Sequence, residues 1–119
     1  MKATAFITGG SRGIGMAIRE LFIRRGIDVI TPTRDEMNLD VPESIDKYCQ
    51  NITKPVDIIV NNAGINPVAL FEDVNGEDFE RTLQINLKAP LQICRHLIPA
   101  MKQRKYGRVV NISSLWSVV

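Results

Sequence analysis

The sequence predicts an α/β fold in which a parallel sheet is wound on both faces by helices, and three observations predict it. Short apolar runs rich in β-branched residues alternate with longer stretches whose apolar residues recur at helical spacing. A glycine-rich turn joins the first run to the first helical stretch, and no internal repeat or low-complexity segment interrupts the alternation. Runs of this kind suit strands buried on both faces and joined by right-handed helical crossovers. At 119 residues, with 45% hydrophobic and 24% charged side chains, the chain is expected to form one domain over residues 1–119 around one core.

Residues 3–8 (Ala-Thr-Ala-Phe-Ile-Thr) read as the first strand. A helix follows in which Ile14, Ala17, Ile18, Leu21 and Phe22 share a face, Arg24 and Arg25 occupy the last turn and Gly26 ends it. Residues 28–33 form the second strand. Met37 and Leu39 alternate with polar residues, so a brief third strand is expected at 34–40. Asp40 is placed to cap the next helix, with Pro42 in its first turn, Glu43 at the capping-box position, and Val41, Ile45, Tyr48, Cys49 and Ile52 as its apolar face. Residues 56–60 (Val-Asp-Ile-Ile-Val) make a fourth strand. Asn75 caps a long helix over about 76–102 with Phe79, Leu83, Leu87, Leu91, Cys94, Leu97, Ile98 and Met101 on one face, and residues 108–113 give a fifth strand.

The turn after the first strand reads Thr8-Gly9-Gly10-Ser11-Arg12-Gly13-Ile14-Gly15. Glycine there permits a tight turn and close backbone approach, and the helix N-terminus behind it offers unpaired N–H groups and a positive dipole end to a pyrophosphate. The context of strand, turn and amphipathic helix is the one this motif requires.

On these residues the chain resembles the classical short-chain dehydrogenase/reductase family, whose motif Thr-Gly-x-x-x-Gly-x-Gly is matched by Thr8 to Gly15. Asn62-Ala63-Gly64 matches the family's Asn-Ala-Gly, Asn86 falls where the long helix carries its active-site asparagine, and Asn111-Ile112-Ser113-Ser114 ends the last strand. The resemblance covers the whole chain and implies a Rossmann-type sheet of about five strands here, with the C-terminal strands of the fold missing. It implies a nicotinamide cofactor held by Gly9, Ser11, Arg12, Gly13, Ile14, Gly15, Arg34, Asn62, Ala63 and Gly64, with Asp40 and Val41 against the adenine. NAD-type sites place an acid near the end of the second strand, a position taken here by Thr33 and followed by Arg34. Arg12 and Arg34 can converge on a 2′-phosphate, so NADP(H) is expected over NAD(H).

The resemblance further implies a carbonyl or alcohol substrate, reduced or oxidised with a tyrosine as general acid and a lysine four residues later. Ser114 would hydrogen-bond the substrate oxygen and Asn86 would position a relay water. Pro90 lacks an N–H and cannot donate to the Asn86 carbonyl, so a kink that frees this carbonyl for the water is one reading, and a kink without chemical role is the other. No Tyr-x-x-x-Lys occurs: Tyr48 is followed by Ile52 and Tyr106 by Val110 at the fourth position. The chain is therefore expected to be a domain truncated before that motif and without useful catalysis by itself. Two readings stay open, the N-terminal part of an oxidoreductase and a non-catalytic NADP-binding or interaction module.

His96, about 15 Å along the helix from Asn86, reads as a surface or packing residue and not as a substitute acid. Trp116 reads equally as a substrate-site or a packing residue. The net charge of +2 is scattered, which leaves no footprint for nucleic acid, and no metal spacing involves Cys49 or Cys94, both on apolar helix faces. Neither a signal peptide nor a segment of transmembrane length is evident, so a cytoplasmic location is expected. The apolar edge of the fifth strand predicts a homo-oligomer.

Overall fold

The computed structural model of the chain describes residues 2–114. Four parallel strands form one sheet: β1 (Thr4–Ile7), β2 (Asp28–Ile30), β3 (Ile58–Asn61) and β4 (Arg108–Asn111), in the order β2-β1-β3-β4. The helices are α1 (Gly13–Arg24), α2 (Pro42–Gln50), α3 (Gly76–Leu83) and α4 (Ala89–Arg104), with a short 3₁₀ turn at Phe71–Asp73.

The pleat of β1 decides where the core sits, because successive side chains leave a strand on opposite faces. Phe6 points to one face and joins Ile59, Ile45, Cys49, Ala89, Ile93, Leu97 and Met101, which seats α2 and α4 there. Ala5 and Ile7 point to the other and meet Val60, with Ile18 and Phe22 of α1 packed on them. The predicted doubly wound sheet is thus formed, with both faces of β1 buried. Burial pushes the Cys49 thiol up to about 11, since an apolar surrounding disfavours the thiolate. Among the described residues no helix is long and apolar enough to cross a membrane, and no cluster of three or more His, Cys, Asp or Glu could hold a metal.

Three expectations are corrected. No strand forms at 34–40, so the described sheet has four strands and not five. The segment is a turn in which the Thr33 N–H donates to Glu36 Oε1 at 2.9 Å and the Glu36 N–H donates to Thr33 Oγ1 at 3.3 Å. Met37 is buried as an anchor of this turn in the core, and the apolar alternation reflects that anchoring and not a pleat.

Asp40 does not cap α2. Val41 precedes Pro42 in extended conformation with no side-chain cap, and the Asp40 carboxylate is engaged by arginines instead. Local sequence favours an aspartate before a proline-led helix, but two guanidinium groups offer this carboxylate full positive charges where the helix end offers a partial one.

The long helix changes its winding midway. Residues Gln84–Lys88 form a π turn in which the Ala89 N–H reaches back five residues to the Gln84 carbonyl. Proline at 90, which cannot donate within the ladder, sits immediately beyond this turn. The row spaced by four that enters the core is Ile85, Ala89, Ile93, Leu97 and Met101. Phe79, Leu87 and Leu91, predicted on the buried face, are instead exposed.

Candidate functional site

Parallel strands bring their C-terminal ends to one edge. The chain leaves β1 toward β2 on one side and returns over β1 to β3 through α2 on the other face, so a crevice opens where the order reverses, between the ends of β1 and β3. Thr8 to Gly15 occupy one wall of it, and Asn62 to Gly64 the other.

The two walls are tied together. Thr8 Oγ1 accepts the N–H groups of Asn62 and Ala63, each at 3.0 Å. Asn62 Nδ2 donates to the carbonyls of Thr8 and Gly9, each at 3.1 Å. Asn62 is therefore a brace for the glycine turn. Asn86 does the same one layer out: its Oδ1 accepts from the Ile65 N–H at 2.9 Å, and its Nδ2 donates to the Ile65 carbonyl at 2.8 Å. The Asn86 side chain is thus committed to the Ile65 main chain, and proline at 90 has no N–H to donate to the Asn86 carbonyl. Regular helical bonding at Asn86 without a kink would refute both readings of Pro90; the chain instead forms a π turn at Gln84–Lys88, which does not choose between them.

The N-terminus of α1 faces solvent with its positive end uncompensated. No side chain caps it, and its first turn carries no acid. Gly13 sits there at φ +58° with open space where a Cβ would project, so ligand atoms can approach the backbone. Gly15 behind it is needed for a different reason: a Cβ would stand 2.0 Å from the Gly9 carbonyl oxygen. These residues fit a pyrophosphate.

Beside the turn lies a cavity of about 300 Å³. Of the predicted cofactor residues, Gly9, Ser11, Arg34, Asp40, Ala63 and Gly64 border it; Arg12, Gly13, Ile14, Gly15, Val41 and Asn62 do not. Thr33, where an NAD-type acid would stand, also borders it. Three arginines, Arg19, Arg34 and Arg81, line the cavity against one carboxylate, Asp40. Arg81 Nε contacts both Asp40 oxygens at 3.2 and 3.0 Å, and Arg34 lies 3.5 Å from Oδ2.

Sequence reasoning missed Arg19 and Arg81. Arg19 was findable, since it lies one turn beyond Gly15 on the same face of α1. Arg81 was not, because its partner is 41 residues away.

Ser114 is exposed, three residues beyond β4, and the register Asn61↔Asn111 brings the end of β4 to the same sheet edge as the crevice. His96 is spent on packing α4 to α2: its Nε2 meets Asp46 Oδ1 at 2.7 Å, and with Gln92 it holds the Asp46 carboxyl below its usual range. Trp116 lies outside the described residues. A larger hollow of about 670 Å³ between the 35–36 turn and α2 is lined by Glu36, Glu43, Lys47 and Tyr48 and has no part of the glycine turn in its wall.

Comparison with known proteins points one way. Residues 36–119 match the family model described as short chain dehydrogenase. The 3-oxoacyl-[acyl-carrier-protein] reductase FabG of Rickettsia prowazekii is 36% identical over 94% of this chain and 54% of its own length. A Beutenbergia cavernae protein crystallised with bound NADP at low occupancy is 30% identical with a TM-score of 0.92, covering 98% of this chain and 56% of that one. A short-chain dehydrogenase of Sphingobium yanoikuyae in complex with NADPH is 26% identical with a TM-score of 0.88, covering 98% and 55%. The chain thus spans about half the length of the curated relatives it matches.

Proposed function

The chain belongs to the short-chain dehydrogenase family, and from that premise we propose that these residues form the cofactor-holding part of an NADP(H)-dependent oxidoreductase acting on a carbonyl or alcohol. The observation that carries the reading is the uncapped N-terminus of α1 beside a cavity in which three arginines face one aspartate. A dinucleotide pyrophosphate suits the helix end, and the surplus positive charge suits one phosphate more than NAD(H) carries.

The nicotinamide, when bound, would supply the hydride chemistry. Gly9, Gly13, Ile14 and Gly15 hold backbone close to the pyrophosphate, Ser11, Arg12 and Arg34 bind phosphate, and Asp40 and Val41 border the adenine. Ala63 and Gly64 form the opposite wall, braced by Asn62. Ser114 orients the substrate oxygen, and the main-chain carbonyl of Asn86 holds a relay water. No Tyr-x-x-x-Lys pair occurs in this sequence, and within domain 1–119 the residues named supply the cofactor side of the reaction. The exposed apolar row of Phe79, Leu87 and Leu91 on the outer face of the long helix supports a homo-oligomer in the whole protein.

Side-by-side calorimetric titration with NADPH and NADH at matched salt tests the cofactor assignment. One charge-assisted phosphate contact is expected to make NADPH bind tighter by about 10- to 100-fold, a margin that Arg34→Ala reduces. Equal affinity for both would remove the NADP preference, and binding of neither would remove the cofactor reading.

A further inference from the structure

Arg34 and Arg81 are both turned toward Asp40. Arg19 is different. It leaves α1 one turn beyond Gly15, and its Cδ lies 3.9 Å from the place where a Cβ on Gly10 would be. Its aliphatic stem therefore runs along the glycine turn, and the residue borders the cavity together with Gly10, Thr31, Thr33 and Arg34. Its Nε is shielded from solvent without a hydrogen-bond partner. A donor atom closed off from solvent with nothing to donate to is costly, and native structures seldom keep one without use. Thr31 to Arg34 follow the end of β2, the region where a dinucleotide's adenosine ribose is recognised.

Resting on the cofactor reading above, we propose that Arg19 is a specificity-determining residue that reads the phosphate on the adenosine ribose from the helix side of the pocket, its guanidinium donating to a phosphate oxygen. Arg34 closes the same phosphate from the loop side, with part of its charge already offset by Asp40 at 3.5 Å. Arg19 has no ion pair among the described residues, and this makes it the stronger determinant of the two. Arg12 does not border the cavity.

Arg19→Met tests this, because methionine keeps much of the stem that packs along the turn and removes the guanidinium. Calorimetric binding of NADPH and of adenosine 2′,5′-bisphosphate is compared with that of NADH and 5′-AMP. Loss of one charge-assisted anion contact should weaken the two 2′-phosphorylated ligands by about 10- to 100-fold and leave the other two within about twofold. Retained NADH binding also shows that the variant is folded. Equal weakening of all four ligands would assign Arg19 to the pyrophosphate or to the fold and overturn the proposal. Tighter binding of all four would make Arg19 a plug in an empty pocket and overturn it as well. If Arg34→Ala abolishes the preference while Arg19→Met leaves it intact, the NADP reading stands and the Arg19 assignment falls. If the unaltered chain binds none of the four, the cofactor reading itself fails.

Discussion

Gly15→Ala is expected to abolish binding of nicotinamide nucleotides and to cost the fold about 3 kcal/mol, the upper range of ordinary overpacking. The added Cβ would stand 2.0 Å from the Gly9 oxygen, 2.4 Å from Asn62 Nδ2 and 2.8 Å from the Gly9 carbonyl carbon. Two of these atoms are backbone, and the third, the Asn62 amide nitrogen, is tied to the Thr8 and Gly9 carbonyls. The Gly9 carbonyl is held by Asn62, and the Asn62 and Ala63 N–H groups are held by Thr8. The helix must therefore move away from the turn, and the uncapped N–H groups at its start move with it. Gly76→Ala is the control: at the start of α3 a Cβ meets nothing within 4 Å. That variant should melt within about 1 kcal/mol of the unaltered chain, as helix propensity favours alanine. Urea denaturation and NADPH titration of both variants check the pair. A Gly15→Ala chain with unchanged midpoint and affinity would show that α1 does not approach the turn as described.

Phe6→Ala should destabilise the chain by about 3–5 kcal/mol, the usual loss when a buried aromatic is truncated. Phe6 is fully buried at the centre of β1, in register with Ile30 of β2 and Ile59 of β3. Its ring meets Tyr48 of α2 at a centroid distance of 6.2 Å and a tilt of 53°. No neighbouring strand can collapse into the space without losing its register, so the cavity term adds to the lost transfer energy. Against the roughly 5–15 kcal/mol typical of a whole domain, this removes a large share of the stability. A shift of the urea midpoint by less than the equivalent of about 1 kcal/mol would contradict the packing of α2 and α4 on this face.

The parts of this molecule that were legible in the sequence are those governed by local chemistry. Strand period, the glycine turn and the start of α1 follow from residues close together, and the structure places them as read. The errors share a cause. Met37 and Leu39 alternate like a strand, yet Thr33 and Glu36 close a turn that the alternation does not reveal. Asp40 looks like a cap until Arg81 arrives from 41 residues away. The long helix carries two apolar rows, and only the packed sheet decides that Ile85, Ala89 and Ile93 go in while Phe79, Leu87 and Leu91 stay out. At the site, the Asn-Ala-Gly and Asn86 positions were legible, but their work as backbone braces was not. Those bonds link positions 21 to 55 residues apart, and composition and spacing carry no trace of such partners.

A dinucleotide lying across the glycine turn, with its adenosine end between Arg19 and Arg34, would perturb a defined set of backbone amides, and chemical-shift mapping with NADPH reads that set out. Shifts are expected to cluster at Gly9 to Gly15, Thr31 to Arg34 and Ala63 to Gly64. A cluster instead around Glu43, Lys47 and Tyr48, the lining of the larger hollow, would place the ligand elsewhere and contradict this mode of binding.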